Sequence, residues 1–200
     1  MTNKHCKTPL CDTHAPNPKY RGYCFFCFVH VFPDEPVSRN YRVKEKAVRD
    51  AIEALLRESY PHLQLTFDRK LQGGCSSKRP DLFIDALTHA LFGELDEHQH
   101  HTSQYCSCEN RRMMTLFTDA GNRPTVFIRM NPDAYTDHKG VRHGSCFKVS
   151  KKTGKLGVAN RKELDFRIGV YVQRIQYHLD NVPEMEFQVE HLFYDGFNRT

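Results

Sequence analysis

What the sequence lacks narrows it first. No stretch approaches the roughly 18 apolar residues that a membrane span needs, and the opening MTNKHCKTPL carries no apolar segment of the secretory kind. The expectation is an intracellular chain that is neither secreted nor membrane-spanning. Internal repeats and low-complexity tracts are missing too, which excludes repeat architectures. Tryptophan is absent, but 14 Phe, 9 Tyr and a hydrophobic fraction of 39% are enough for a packed core, so wholesale disorder is excluded. Charge of one sign is scarce: 29 Lys and Arg against 24 Asp and Glu leave +5, a mild lean toward anionic partners. A chain of 200 residues fits one ordinary domain with a small appendage.

What is there in excess is cysteine and histidine, 8 and 12 residues. Without a secretory signal, these thiols read as metal ligands or free thiols rather than as a disulfide framework. Cys6-x4-Cys11 and Cys24-x2-Cys27 form two pairs near the start, among prolines and glycines that permit little regular structure. Four soft ligands on two short knuckles suit tetrahedral Zn2+, and a module of about 35 residues has too little core to fold without one. His14 or His30 could replace a cysteine, and Tyr20, Tyr23, Phe25, Phe26 and Phe28 supply a small core. Cys75, Cys106, Cys108 and Cys146 are either a second zinc set joining loops or incidental thiols.

The chain therefore divides into a cysteine-rich module over 1–40 and an α/β domain over 41–200. In the latter, Val48, Ile52 and Leu55 recur at helical spacing within 43–60, with Glu45 on the same inward stripe and Pro61 as terminator. Strands are expected over 63–68, 81–87 and 90–95, a helix over 109–120, and a strand over 125–130. A loop over 131–160, a helix over 161–180 and a strand over 186–193 complete the order, which from residue 43 reads αβββαβ with a helix and a strand appended.

The acidic strand pair carries the chemistry. Pro80-Asp81 opens an apolar strand, and Glu94 ends the next one, where a charge is costly unless it holds a partner or metal. Glu94 and Asp96 alternate onto one face. If the strands form a hairpin, Asp81 and Glu94 meet at one end of the sheet, an arrangement that suits a hard cation such as Mg2+. Asp85 shares the face of Asp81 but is not expected to be a ligand. Gln99 is expected to be a polar contact near the site and Glu97 a solvated group. His89 and His101 are expected to be ordinary loop or surface histidines.

This order of elements with Pro80-Asp81 and Glu94-Leu95-Asp96 resembles the PD-(D/E)xK nuclease superfamily. Where that family has Lys, this chain has Asp96. His98 and His100 lie close after it and could act as general base, which resembles the very-short-patch repair and EDxHD homing-endonuclease branch. There Glu45, Asp81 and Asp96 would match E, D and the final D, with Glu94 in the place of His. The strings Glu94–His100, Glu109–Met114 and Arg123–Tyr135 are also similar to uncharacterised proteins of giant viruses and unicellular eukaryotes with the same cysteine-rich start.

The resemblance implies a restriction-endonuclease-like core that cleaves or nicks double-stranded DNA in the manner of a homing or mobile-element enzyme. Asp81, Glu94 and Asp96 would hold Mg2+ or Mn2+, with Zn2+ structural in the module. Arg69, Lys70, Lys78, Arg79, Arg111, Arg112, Arg129, Lys151 and Lys152 are the expected phosphate contacts. One visible site means that double-strand cutting needs a homodimer or two nicks. The expected location is a nucleus or a viral replication compartment. Two rivals remain: a non-catalytic zinc-dependent DNA-binding protein on a nuclease-like scaffold, and a zinc hydrolase using His98, His100 and His101.

Overall fold

A computed structural model describes residues 5–9, 11, 18–40, 43–100 and 103–199. Of Phe26, His98, His100 and residues 103–108 it describes the backbone only. The chain divides into two compact units. One comprises Met1–Val43 with Val149–Gly157, the other Lys44–Lys148 with Val158–Thr200.

The cysteine-rich unit has more regular structure than its prolines and glycines suggest. Helix α1 (Phe25–Val31) begins after Cys24, whose side chain accepts the backbone N–H of Cys27 and so supplies an N-cap. Helix α2 (Pro36–Arg39) places Pro36 at its first position, where no N–H is needed. Tyr20 packs on Phe25 and Phe28 at ring centroid distances of 5.2 and 5.3 Å, and Phe28 packs on Phe32 at 5.0 Å. The segment 149–157 joins this unit through Asn40, which donates to the Gly154 carbonyl at 2.9 Å and accepts from the Leu156 N–H at 2.7 Å.

The larger unit is built on a five-stranded mixed sheet in the order β1-β2-β3-β4-β9. Strands β1 (Leu65–Thr66), β2 (Leu82–Asp85) and β3 (Ala90–Leu95) are antiparallel neighbours. Helix α4 (Ser103–Asp119) then carries the chain over, so that β4 (Thr125–Met130) lies parallel to β3. Two short ribbons follow, β5–β6 (Tyr135–Thr136 with Arg142–His143) and β7–β8 (Phe147–Val149 with Leu156–Val158). Helix α5 (Arg161–Asp180) returns the chain to β9 (Phe187–Leu192), parallel to β4. The expected loop over 131–160 thus holds four short strands, α4 starts six residues earlier than expected, and the first strand shrinks to two residues.

Each sheet face has its own packing. Ala90, Phe92 and Phe127 meet Met113, Leu116 and Ala120 of α4, with the Phe92 and Phe127 rings stacked at 4.8 Å. On the other face Gly93 lies under Tyr171 of α5, whose hydroxyl donates to the Ile128 carbonyl at 3.3 Å.

Helix α3 (Val43–Ser59) corrects one expectation. Its buried residues are Lys44, Val48, Ile52 and Leu56, spaced four apart, while Leu55 is exposed and Glu45 half-buried. The inward group at its start is a base: the Lys44 ammonium meets Asp133 at 2.9 and 3.0 Å and Glu97 at 3.4 Å. These acids recruit the lysine inward, and a uniform apolar spacing cannot reveal that.

Gly93 is where backbone and side chain approach most closely, because an added Cβ would overlap the Tyr171 hydroxyl and lie 3.1 Å from Leu82 Cβ. Gly93→Ala is expected to cost about 1–3 kcal/mol of stability by overpacking, read as a lower urea midpoint. Adding Tyr171→Phe should restore part of the loss; an unchanged midpoint for Gly93→Ala would refute this packing.

Candidate metal centre and acidic site

Cys6, Cys11, Cys24 and Cys27 converge, their sulfurs all within 4.8 Å of one another. The two segments are held together by the backbone: the Cys24 N–H donates to Cys6 Sγ at 3.2 Å and the Lys7 N–H to the Gly22 carbonyl at 3.0 Å. The Cys27 N–H donates to Cys24 Sγ at 3.4 Å. Such N–H···S bonds stabilise thiolates and orient them as ligands. Burial disfavours the Cys6 thiolate, but the N–H groups of Cys24 and Thr8 and side-chain bonds from Thr8 and Cys11 outweigh it and bring its pKa down to about 6. Cys27 is favoured as thiolate by a bond from Thr8, yet desolvation and the thiols of Cys24, Cys6 and Cys11 push it up to about 12. Four crowded sulfurs cannot all lose their protons without a cation among them. This donor set suits a soft, tetrahedral ion such as zinc. His30 is exposed on α1, and His14 lies outside the described residues.

The second candidate centre forms at the carboxyl end of β3, on the face covered by α4. Leu82 pairs with Gly93, so Asp81, one residue earlier, stands beside Glu94, and Asp81 Oδ2 accepts the Leu95 N–H at 2.8 Å. The other oxygen of Asp81 has no partner among the described residues. Across the parallel strands Glu94 pairs in register with Arg129, and Arg129 with His191.

Each acid at β3 has its own arginine. Both Glu94 oxygens accept from Arg112 Nη2 of α4, at 3.0 and 3.2 Å. Asp96 is engaged through both oxygens: Arg129 donates to it from Nε and from Nη2 (2.8 Å), and the Tyr194 hydroxyl donates as well. Arg129 also binds Glu109 at 2.8 Å. Arg129 is therefore a correction to the expected phosphate contacts, since it is only 4% exposed and serves the interior.

Burial pushes the carboxyl of Asp81 up, against the Leu95 N–H and Arg112, which pull it down. Glu94 is raised to about 8, by burial first and by the Asp81 charge second, with Arg112 offsetting only part. Buried acids raised in this way still lack positive charge. Their hard oxygens suit Mg2+ or Mn2+, although among the described residues only the four cysteines already converge as a metal-holding group.

The remaining candidates divide clearly. Arg69, Lys70, Lys78, Arg79, Arg111, Lys151 and Lys152 are exposed. Asp85 pairs with Arg123 at 2.8 Å, on the turn preceding β4 and at the far end of β2 from Asp81. Gln99 is buried, donating to the Ala134 carbonyl at 3.2 Å and accepting the Asp195 N–H at 2.9 Å. His89 lies in the loop between β2 and β3, as expected, but is buried there, bonded to the His178 carbonyl and to Thr88. Cys146 is fully buried and Cys75 exposed. The side chains of Cys106, Cys108, His98 and His100, and all of His101, lie outside the described residues.

Four residues escaped the sequence reading. Asp68, in the left-handed region at φ 47°, donates its N–H to the Pro80 carbonyl, and its charge helps raise Asp81. Glu109 and Tyr194 complete the Asp96 network. His191 packs edge-on against Tyr194 at 4.8 Å. Only the alternation of β9 signals His191; the others depend on contacts between distant elements.

Comparison with family models, with curated proteins and with solved structures finds no match.

Two tests follow from this geometry. Purified protein should carry about one zinc per chain by metal analysis, as a closed four-cysteine site implies, and Cys24→Ser should lose the metal; full retention would exclude these cysteines as the site. In chelated protein, the raised Glu94 means that the folded state binds a proton more tightly than the unfolded state. Its contribution is complete below the ordinary glutamate range and is lost as pH rises through about 8. Urea midpoints of wild type relative to Glu94→Gln should therefore fall between pH 5 and 9; a flat difference would show that Glu94 keeps its ordinary titration.

Proposed function

We propose that this chain is a divalent-metal-dependent endodeoxyribonuclease with a structural zinc unit. The observation that carries the reading is the pair Asp81 and Glu94, half-buried and buried respectively, side by side at the end of β3 and short of positive charge. The order α3-β1-β2-β3-α4-β4 supports it, because it is the αβββαβ order implied by the resemblance to PD-(D/E)xK nucleases. Exposed Lys78 and Arg79 immediately before Asp81, with Arg111 on α4, provide cations for a DNA backbone.

Within this reading, Asp81 and Glu94 hold Mg2+ or Mn2+, which when bound supplies positive charge to the two acids and makes a bound water acidic enough to attack a phosphodiester. Asp81 is oriented by the Leu95 N–H, which leaves its second oxygen for a ligand. Asp96 is assigned no ligand role: with both oxygens engaged, it fixes Arg129 beneath the site. His98 or His100 serves as general base, and sequence-specific nicking or cleavage of the homing or mobile-element kind is the form the resemblance favours. Action in a nucleus or viral replication compartment, and a homodimer for double-strand cutting, belong to the same proposal.

One observation favours a second reading. Glu94 is held by Arg112 and Asp96 by Arg129, so the chain partly neutralises its own acids, as a non-catalytic DNA-binding protein on this scaffold would require.

A plasmid-nicking assay separates the two. Wild type should convert supercoiled plasmid, or a random-site duplex library, only with Mg2+ or Mn2+. Asp81→Asn and Glu94→Gln should lose at least about 100-fold in rate while remaining folded by circular dichroism. Binding without cleavage of the library in either metal would leave the binding protein.

A further inference from the structure

We propose that Arg112 is the residue that grips the scissile phosphate, supplying from α4 the positive charge that resembling nucleases carry as Lys two residues after the acid of the third strand. This rests on the nuclease reading above.

The argument begins with how each arginine uses its donors. A guanidinium has five N–H groups on three nitrogens. Arg129 commits all three nitrogens to Asp96, Glu109 and the Met113 sulfur. Arg167, fully buried, does likewise with Glu163 and the carbonyls of Asn131, Asp133 and Gly144. Both are interior struts. Arg112 differs: its three bonds, two to Glu94 and one to the Arg79 carbonyl at 2.8 Å, all run through Nη2. Nε and Nη1 have no partner among the described residues, and the side chain is 25% exposed. It is a guanidinium held through Nη2, with Nε and Nη1 unengaged among the described residues.

The location gives that guanidinium a task. Its held corner touches Glu94, one of the two proposed metal ligands, and its bond to Arg79 sets it against the exposed Lys78–Arg79 segment that leads into Asp81. A phosphate drawn to this acidic end would meet the N–H of Nε or of Nη1, each able to give one charge-assisted bond to a phosphate oxygen. Asp96, at the position where the resemblance expects Lys, cannot serve, being an acid engaged by Arg129 and Tyr194.

In the hydrolysis, a water oxygen bonds to phosphorus, one P–O ester bond breaks, and the proton lost by the water ends on the leaving oxygen. The products are a phosphate monoester and an alcohol. Arg112 gains and loses no proton; its fixed charge stabilises the added negative charge on the non-bridging oxygens as the fifth bond to phosphorus forms.

The test is single-turnover cleavage of a random-site duplex library in Mg2+ and Mn2+ by wild type, Arg112→Ala, Arg112→Lys and Arg123→Ala, with DNA affinity measured by anisotropy in Ca2+. Arg112→Ala is expected to lose about 100- to 1,000-fold in rate, to bind DNA within about threefold of wild type because many other cations contribute, and to recover at least about tenfold on adding millimolar guanidinium, as a missing charge-assisted donor should. Arg112→Lys keeps a counter-charge for Glu94, and so the fold, but is expected to lose at least about tenfold, because one ammonium held by Glu94 lacks the separate Nε and Nη1 donors. Arg123→Ala, at the far end of β2, should be unchanged. Cleavage by Arg112→Lys or Arg112→Ala within threefold of wild type overturns the role of Arg112 alone. A loss that guanidinium does not restore and that Arg112→Lys fully repairs also overturns it, since a structural counter-charge then suffices. A wild type that cleaves nothing in either metal overturns the nuclease reading, and this inference with it.

Discussion

The larger unit depends on neutralising acids at the end of its central strand. Glu94 at the end of β3 and Asp96 just after it are 9% and 3% exposed, and an unpaired buried carboxylate is prohibitively costly. Asp96 meets this constraint with Arg129 from β4, and Arg129 in turn is shared with Glu109 of α4. Sheet register and helix position are thereby fixed together. Breaking such a pair from one side costs far more than the pair itself contributes, because a lone charge stays behind. Glu94 is less fully satisfied, and the proposed chemistry rests on that shortfall.

The two units answer the problem of small cores differently. Among its described residues the cysteine-rich unit has a handful of aromatic contacts and two short α-helices, and its four converging sulfurs are the natural site of added stability. The sheet unit has conventional layers, with helices α4 and α5 covering opposite faces of β3 and β4. The segment 149–157 groups with the first unit although it is inserted between strands of the second, so the units are interleaved along the chain.

The sequence was legible where one face or one spacing carries the signal. Strands β3 and β4 and helix α5 have the bounds expected from periodicity, because each is long and its burial pattern is simple. The cysteine knuckles were readable from ligand spacing, and the Asp81–Glu94 neighbourhood from the assumption of a hairpin, which β2 and β3 form. What was hidden depends on partners far away in sequence. Lys44 turns inward because Asp133 and Glu97 wait there, and Arg129 is interior because Asp96 is. A charged residue on an apolar strand reads the same whether it faces DNA or an acid of its own chain. Strand β1 is shorter than the alternation of LQLTFD predicts, because only two of those six residues find ladder partners.

The pairing of Asp96 with Arg129 has a consequence for how the sheet is made. The two residues are 33 apart in the chain, and α4 lies between them. Neither can be buried at low cost until β4 has docked beside β3 in the right register. A slip of one residue would turn Arg129 to the opposite face and strand two acids in the interior. Hydrophobic residues alone would tolerate such a slip better, since both faces of β4 are buried. The ion pair thus acts as a check on register, making the misregistered sheet unstable relative to the native one.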